Sequence, residues 1–178
     1  RLATDLAGVL RALRETEAGG GPEGADGPEA GEHSFYRGGP LDFYTGVVET
    51  CLADLKDRLD TDAAMRLWQA ALARCWEQPP VWVHGDVAPG NLLLRGGRLA
   101  ALIDFGSVSV GDPACDLVMA WTVFDGEARD AFRAAVALDA DTWARARGWA
   151  LWKAMLIETG RAVAAPGQHP PLAVIEAV

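Results

Sequence analysis

The sequence predicts a mainly α fold with a small antiparallel β hairpin, on three observations. Apolar residues recur at three- and four-residue spacing through most of the chain. Two short apolar runs, Leu92-Leu93-Leu94 and Leu99 to Phe105, flank Arg95-Gly96-Gly97-Arg98, and consecutive glycines suit a tight hairpin turn. With 178 residues, 50% of them hydrophobic, the chain can bury one substantial core, so residues 1–178 read as a single unit.

The elements follow in order. Leu2, Leu6, Val9, Leu10 and Leu13 lie on one face of a helix over residues 2–15. Residues 19–40 read as a flexible Gly/Pro-rich loop with little to bury. Within it, Gly19 to Gly24 satisfies the G-x-G-x-x-G expression. No strand precedes that run, no helix opens after it, and its acidic neighbours would repel a pyrophosphate, so a nucleotide loop is rejected. Val47, Val48, Cys51, Leu52, Leu55 and Leu59 form a second helical stripe, and Met65, Trp68, Leu72, Cys75 and Trp76 a third, with Asp60 or Thr61 as the cap between them. Pro79-Pro80 ends this region and leads into the β-prone run Val81-Trp82-Val83. Beyond the hairpin, helices are predicted over Pro113–Phe124, over Glu127–Leu138, from Asp141 into the 160s, and briefly from Leu172. Trp68, Trp76, Trp121, Trp143 and Trp149 fall on apolar helical faces and read as core, not as a stacking platform for bases or sugars.

Composition narrows the function classes. A formal net charge of −9 repels phosphate backbones and anionic headgroups, which argues against nucleic acid and membrane as partners and favours a small cationic or hydroxylated substrate. No apolar run is long enough to span a bilayer, and no secretory pattern opens the chain. Cys51, Cys75 and Cys115 are odd in number and each lies in an apolar stretch, as buried free thiols would. A cytoplasmic protein is expected.

The chemistry is concentrated in His84-Gly85-Asp86-Val87-Ala88-Pro89-Gly90-Asn91, followed after the hairpin by Asp104-Phe105-Gly106. Phosphoryl transfer needs a base that orients a hydroxyl and takes its proton, together with oxygen ligands that hold magnesium against a triphosphate. The spacing H-x-D-x-x-x-x-N followed by D-F-G assigns Asp86 as catalytic base and Asn91 and Asp104 as metal ligands. Each alone could be an ordinary turn residue. Three at these offsets, each beside an apolar strand, favour the functional reading. His84 reads as structural support of the loop.

These motifs, with Gly111-Asp112-Pro113-Ala114-Cys115-Asp116 downstream, resemble the aminoglycoside phosphotransferase and choline-kinase-like family. The resemblance implies the C-terminal lobe of a protein-kinase-like fold, transfer of the γ-phosphate of ATP or GTP to a small-molecule hydroxyl, and magnesium as cofactor. It further implies that Asp112 or Asp116 supports the catalytic loop, and that Asp125, Glu127 and Glu158 are candidates for an acidic acceptor pocket. Aminoglycosides, macrolides, choline and homoserine all remain open as acceptors.

A kinase also presents a strand lysine to the phosphates. The chain has two lysines, Lys56 in a helical run of charges and Lys153 in the last long helix, and neither stands in such a strand. The first residue is Arg1, already in helical register. An absent N-terminal β-lobe, expected in the full protein, is the reading that follows, with the isolated chain inactive. The alternative is a non-catalytic binding or regulatory module derived from such a lobe.

Overall fold

The computed structural model describes residues 1–16 and 28–178. The Gly19–Gly24 run therefore lies outside the described residues. Helix α1 spans Leu2–Glu15 and buries Ala3, Leu6, Ala7 and Leu10; of the predicted stripe Leu6 and Leu10 are buried, whereas Val9 is exposed. Helices α2 (Thr45–Leu55) and α3 (Thr61–Leu72) follow. The Asp60 carboxylate accepts a hydrogen bond from the Ala63 N–H at 2.8 Å, a cap worth about 1 kcal/mol.

Four short strands make two separate antiparallel pairs among the described residues. The predicted hairpin is β2 (Leu92–Arg95) with β3 (Arg98–Leu102), turned by Gly96 and Gly97 at φ 58° and 74°. Both turn positions need positive φ, which glycine adopts without steric cost. The second pair, β1 (Val81–Val83) with β4 (Ser109–Gly111), joins segments on either side of the hairpin through Val81↔Gly111 and Val83↔Ser109. Only its first strand was foreseen.

The remaining helices are α4 (Met119–Thr122), α5 (Gly126–Val136), α6 (Ala140–Glu158) and α7 (Pro171–Ala177). Helix α6 is the centre of the lobe, packing on α2, α3, α4 and α7, while α1 packs on α5, β1 and β3. Trp68, Trp149, Phe132, Leu151 and Met155 are fully buried in this core. Truncating such an aromatic costs about 3–5 kcal/mol.

Four local expectations are corrected. The helix predicted over Pro113–Phe124 is a 3-10 turn at Pro113–Leu117 followed by the short α4, because Asp112 and Asp116 are tied to other elements and fix a tighter path. Cys75 is exposed, whereas Cys51 and Cys115 are buried as expected. Trp76 is only half-buried, since α3 ends at Leu72 and the indole N–H turns back to the Pro79 carbonyl at 3.1 Å. The flexible loop expected over 19–40 holds its shape from Pro28 onward. The Pro28 carbonyl accepts from the Val110 N–H, a 3-10 turn spans Glu32–Ser34, and the Gly38 carbonyl accepts from the Asp112 N–H at 2.7 Å. That docking places Arg37 at the site described next.

No helix among the described residues is long and apolar enough to cross a membrane.

Candidate active site

Strand β1 ends at the fully buried Val83 and delivers the loop His84–Asn91. Asp116, 3% exposed, anchors the start of that loop, its two carboxylate oxygens accepting from the His84 N–H at 2.7 Å and the Gly85 N–H at 2.8 Å. Burial pushes the Asp116 carboxyl above its ordinary value, and the two backbone N–H groups oppose the shift. Gly85 has φ +80°, and a Cβ there would lie 2.4 Å from the Ser107 carbonyl oxygen. Gly85→Ala is expected to destabilise the fold by about 2 kcal/mol or more, from left-handed strain and a clash with backbone. Urea denaturation checks this, and a loss below about 0.5 kcal/mol would show that the loop relaxes at no cost.

His84 is fully buried. Its Nδ1 accepts from the Asp86 N–H at 3.2 Å, so the proton sits on Nε2, which donates to the Ile103 carbonyl at 2.9 Å. The ring also meets Phe105 edge-on with centroids 4.7 Å apart. It thus joins the Asp86 loop to the residue preceding Asp104.

The Asn91 side-chain amide donates to the Asp86 backbone carbonyl at 2.8 Å and lies 3.3 Å from its carboxylate. Both contacts are made by the side-chain nitrogen and not by the amide oxygen. The Ile103 N–H donates to the Asn91 carbonyl at 2.9 Å, closing the base of the hairpin and carrying Asp104 back to Asn91. Asp104 is exposed and holds a left-handed backbone at φ 64°, ψ 66°. One amide oxygen and one exposed carboxylate suit a hard cation that keeps water and takes its other ligands from phosphate. No cluster of three or more His, Cys, Asp or Glu placed to hold a metal occurs among the described residues.

Asp112 is part of a different assembly. It is bound in bidentate fashion by Arg145, Nε to Oδ2 at 2.6 Å and a terminal nitrogen to Oδ1 at 3.1 Å, and it also accepts from the Ala114 N–H at 3.0 Å. The pair ties β4 to α6. Asp125 and Glu127 are exposed at the start of α5, and Glu158 is ion-paired with Arg58 at the end of α6. None of the three lines the recess beside Asp86.

Two residues that sequence reasoning passed over do reach Asp86. Arg37 lies 3.6 Å from its Oδ1, donates to the Gly85 carbonyl at 3.1 Å and stacks over Trp152 at 5.4 Å. Lys153, from α6, lies 3.6 Å from the same oxygen. Burial draws the Lys153 ammonium below its ordinary value, the Asp86 charge opposing and Arg37 adding to the shift. One signal was present in the sequence: Lys153 follows Trp149 by one helical turn and Trp152 directly, an odd place for a solvated lysine. Nothing comparable marked Arg37.

A model of the phosphotransferase enzyme family matches residues 1–149. Among solved structures, the macrolide 2'-phosphotransferase MphH from Brachybacterium faecium, as apoenzyme, superposes with a TM-score of 0.56 at 21% identity, covering 99% of this chain and 57% of that one. The ADP-bound aminoglycoside phosphotransferase APH(2'')-Ib gives 0.54 at 20% identity, covering 99% and 61%. A streptomycin–ATP–APH(2'')-IIa ternary complex gives 0.52 at 20% identity, covering 86% and 54%. These likenesses show a shared fold, in agreement with the expected C-terminal lobe of the protein-kinase-like fold. An uncharacterized protein of Bacillus subtilis (strain 168), YcbJ, is 30% identical over 105 residues, which are 57% of this chain and 34% of that protein. The chain thus spans about a third of that relative and little more than half of the solved structures. With 149 of its 178 residues matched by the family model, the chain belongs to the phosphotransferase enzyme family.

Proposed function

We propose that the protein carrying this chain transfers the γ-phosphoryl group of ATP or GTP to a hydroxyl of a small molecule, with Asp86 as catalytic base and Asn91 and Asp104 holding magnesium. The observation that supports this best is that Asn91 hydrogen-bonds to Asp86, while the backbone bond from Ile103 to Asn91 brings the segment carrying Asp104 back to the same loop. The ATP- and ADP-bound relatives support a nucleotide donor.

Asp86 receives the acceptor hydroxyl as a hydrogen-bond donor, fixes its lone pair toward the phosphorus, and takes the proton as the new O–P bond forms. His84 and Asp116 act through the backbone, holding the Asp86 loop against the hairpin. Asn91 is oriented by its own donation to Asp86, which leaves its amide oxygen free of that bond and able to serve as a metal ligand. Asn91 and Asp104 would hold magnesium, which would supply positive charge against the phosphates of the donor. We place the protein in the cytoplasm, where both nucleotides are found.

The test is transfer from γ-labelled ATP and GTP, with magnesium, by the full-length protein to a panel of hydroxylated aminoglycosides, macrolides, amino alcohols and hydroxy acids. Labelled acceptor is the expected product. Magnesium-dependent nucleotide binding with no transfer to any acceptor would favour a binding module instead. Asp104→Asn is expected to raise the magnesium concentration for half-maximal rate by about 10-fold or more, because it removes the charged ligand of the pair. A magnesium titration at saturating nucleotide reads this, and an unchanged midpoint would remove Asp104 from the metal site.

A further inference from the structure

The net charge of −9 favours a cationic acceptor, yet the immediate surroundings of Asp86 have the opposite character. Arg37 and Lys153 approach its Oδ1 from two separate elements, each at 3.6 Å. Their side chains are 21% and 19% exposed, so both charges are held largely out of water. A single carboxylate answers the two of them. Asp116 lies behind the loop and is engaged by two backbone N–H groups, and Asp112 is paired with Arg145.

Hydrogen-bonding capacity points the same way. The narrow recess beside Asp86 is lined by Arg37, Lys153, Trp149, Trp152, Val118 and Cys115. Arg37 Nε and the indole N–H groups of Trp149 and Trp152 are buried donors without a partner among the described residues. Burial and the neighbouring Asp116 and Asp112 charges push the Cys115 thiol well above its ordinary value, so it adds no anion. The lining is therefore rich in donors and, Asp86 apart, poor in acceptors. An ammonium, which can only donate, would meet two like charges and find one acceptor. An anionic oxygen group at Asp86 would meet two cations, the charge-assisted case that is strongest out of water.

We propose that the acceptor carries an anionic oxygen group, a carboxylate or a phosphate, next to the hydroxyl presented to Asp86, and that Arg37 and Lys153 bind it. This rests on the reading of Asp86 as catalytic base. Neither Asn91 nor Asp104 lines the recess, and within this proposal the anion is assigned to the acceptor. Lys153 and Arg37 are thereby specificity-determining residues, which hold the acceptor and leave Asp86 free to take the proton.

The test compares four three-carbon probes on the full-length protein without nucleotide: glycerate, sn-glycerol 3-phosphate, glycerol and 3-amino-1,2-propanediol. Binding is read by calorimetry and by tryptophan fluorescence, since Trp149 and Trp152 line the recess. At least one anionic probe is expected to bind about 10-fold or more tighter than glycerol, with the aminodiol weakest. The tighter of the two anions tells carboxylate from phosphate. Lys153→Met and Arg37→Met are expected to bring that preference to about onefold, while Lys153→Arg retains it. A preference for the aminodiol, or equal or no binding of all four by the wild-type protein, overturns the proposal without any variant having to fold. Because nucleotide is omitted, anion binding without phosphoryl transfer in the labelled-nucleotide assay would count against the kinase reading and leave the anion site standing.

Discussion

Asp86→Asn is expected to lower turnover of the full-length protein by about 10²–10⁴-fold, the range that a positioned general base contributes. The substitution keeps the shape of the side chain and an oxygen that can still accept from the Asn91 amide 3.3 Å away. It removes the capacity to hold the hydroxyl proton and the negative charge that faces Arg37 and Lys153. If Asn91 and Asp104 hold the metal and the nucleotide as proposed, nucleotide binding should change by about twofold at most, so the loss should appear in kcat and not in the nucleotide KM. Steady-state kinetics with a labelled triphosphate, alongside a thermal melt to verify folding, makes the comparison. Undiminished kcat would dismiss Asp86 as the base and return the chain to the binding-module reading.

Arg145→Met should cost about 3–5 kcal/mol of folding stability, because it leaves the Asp112 carboxylate buried without its partner. The two side chains are 5% and 11% exposed, and their contact is bidentate. Arg145 also donates to the Thr142 hydroxyl at 3.1 Å and to the Cys75 carbonyl at 3.3 Å, so one guanidinium joins α6, β4 and the end of the α3 region. Urea denaturation of the single variant measures the loss. Adding Asp112→Asn should recover part of it, since a neutral amide tolerates burial better than an unpaired charge. A single-variant loss below about 1 kcal/mol would mean that water reaches Asp112 and that the pair is not the strut of the lobe.

The features legible in the sequence are those whose physics is local. Helix α1 runs over Leu2–Glu15 because its apolar residues repeat with helical period, and the β2–β3 hairpin forms because two glycines take the positive φ of its turn. The cap at Asp60 was readable for the same reason. Where tertiary ties override local preference, the reading went astray. The Pro113–Leu117 segment has helical composition but is fastened at Asp112 to α6 and at Asp116 to the catalytic loop, and it takes a 3-10 path. Trp76 fits a helical stripe on paper, yet the helix has already ended.

Asp86, Asn91 and Asp104 could be picked out because fixed spacing within one short stretch of chain is itself a geometric statement. The surroundings of Asp86 could not. Arg37 comes from a stretch that reads as loop and is set in place by Gly38 and Ser109, whose hydroxyl donates to the Arg37 carbonyl at 2.8 Å. Lys153 comes from the far end of the chain on α6. By itself the sequence determined the mainly helical lobe, the hairpin and the three oxygen-bearing side chains, since periodicity, turn chemistry and motif spacing operate over a few residues. Only the tertiary structure decided the electrostatic surroundings of Asp86, because charges distant along the chain meet there through packing.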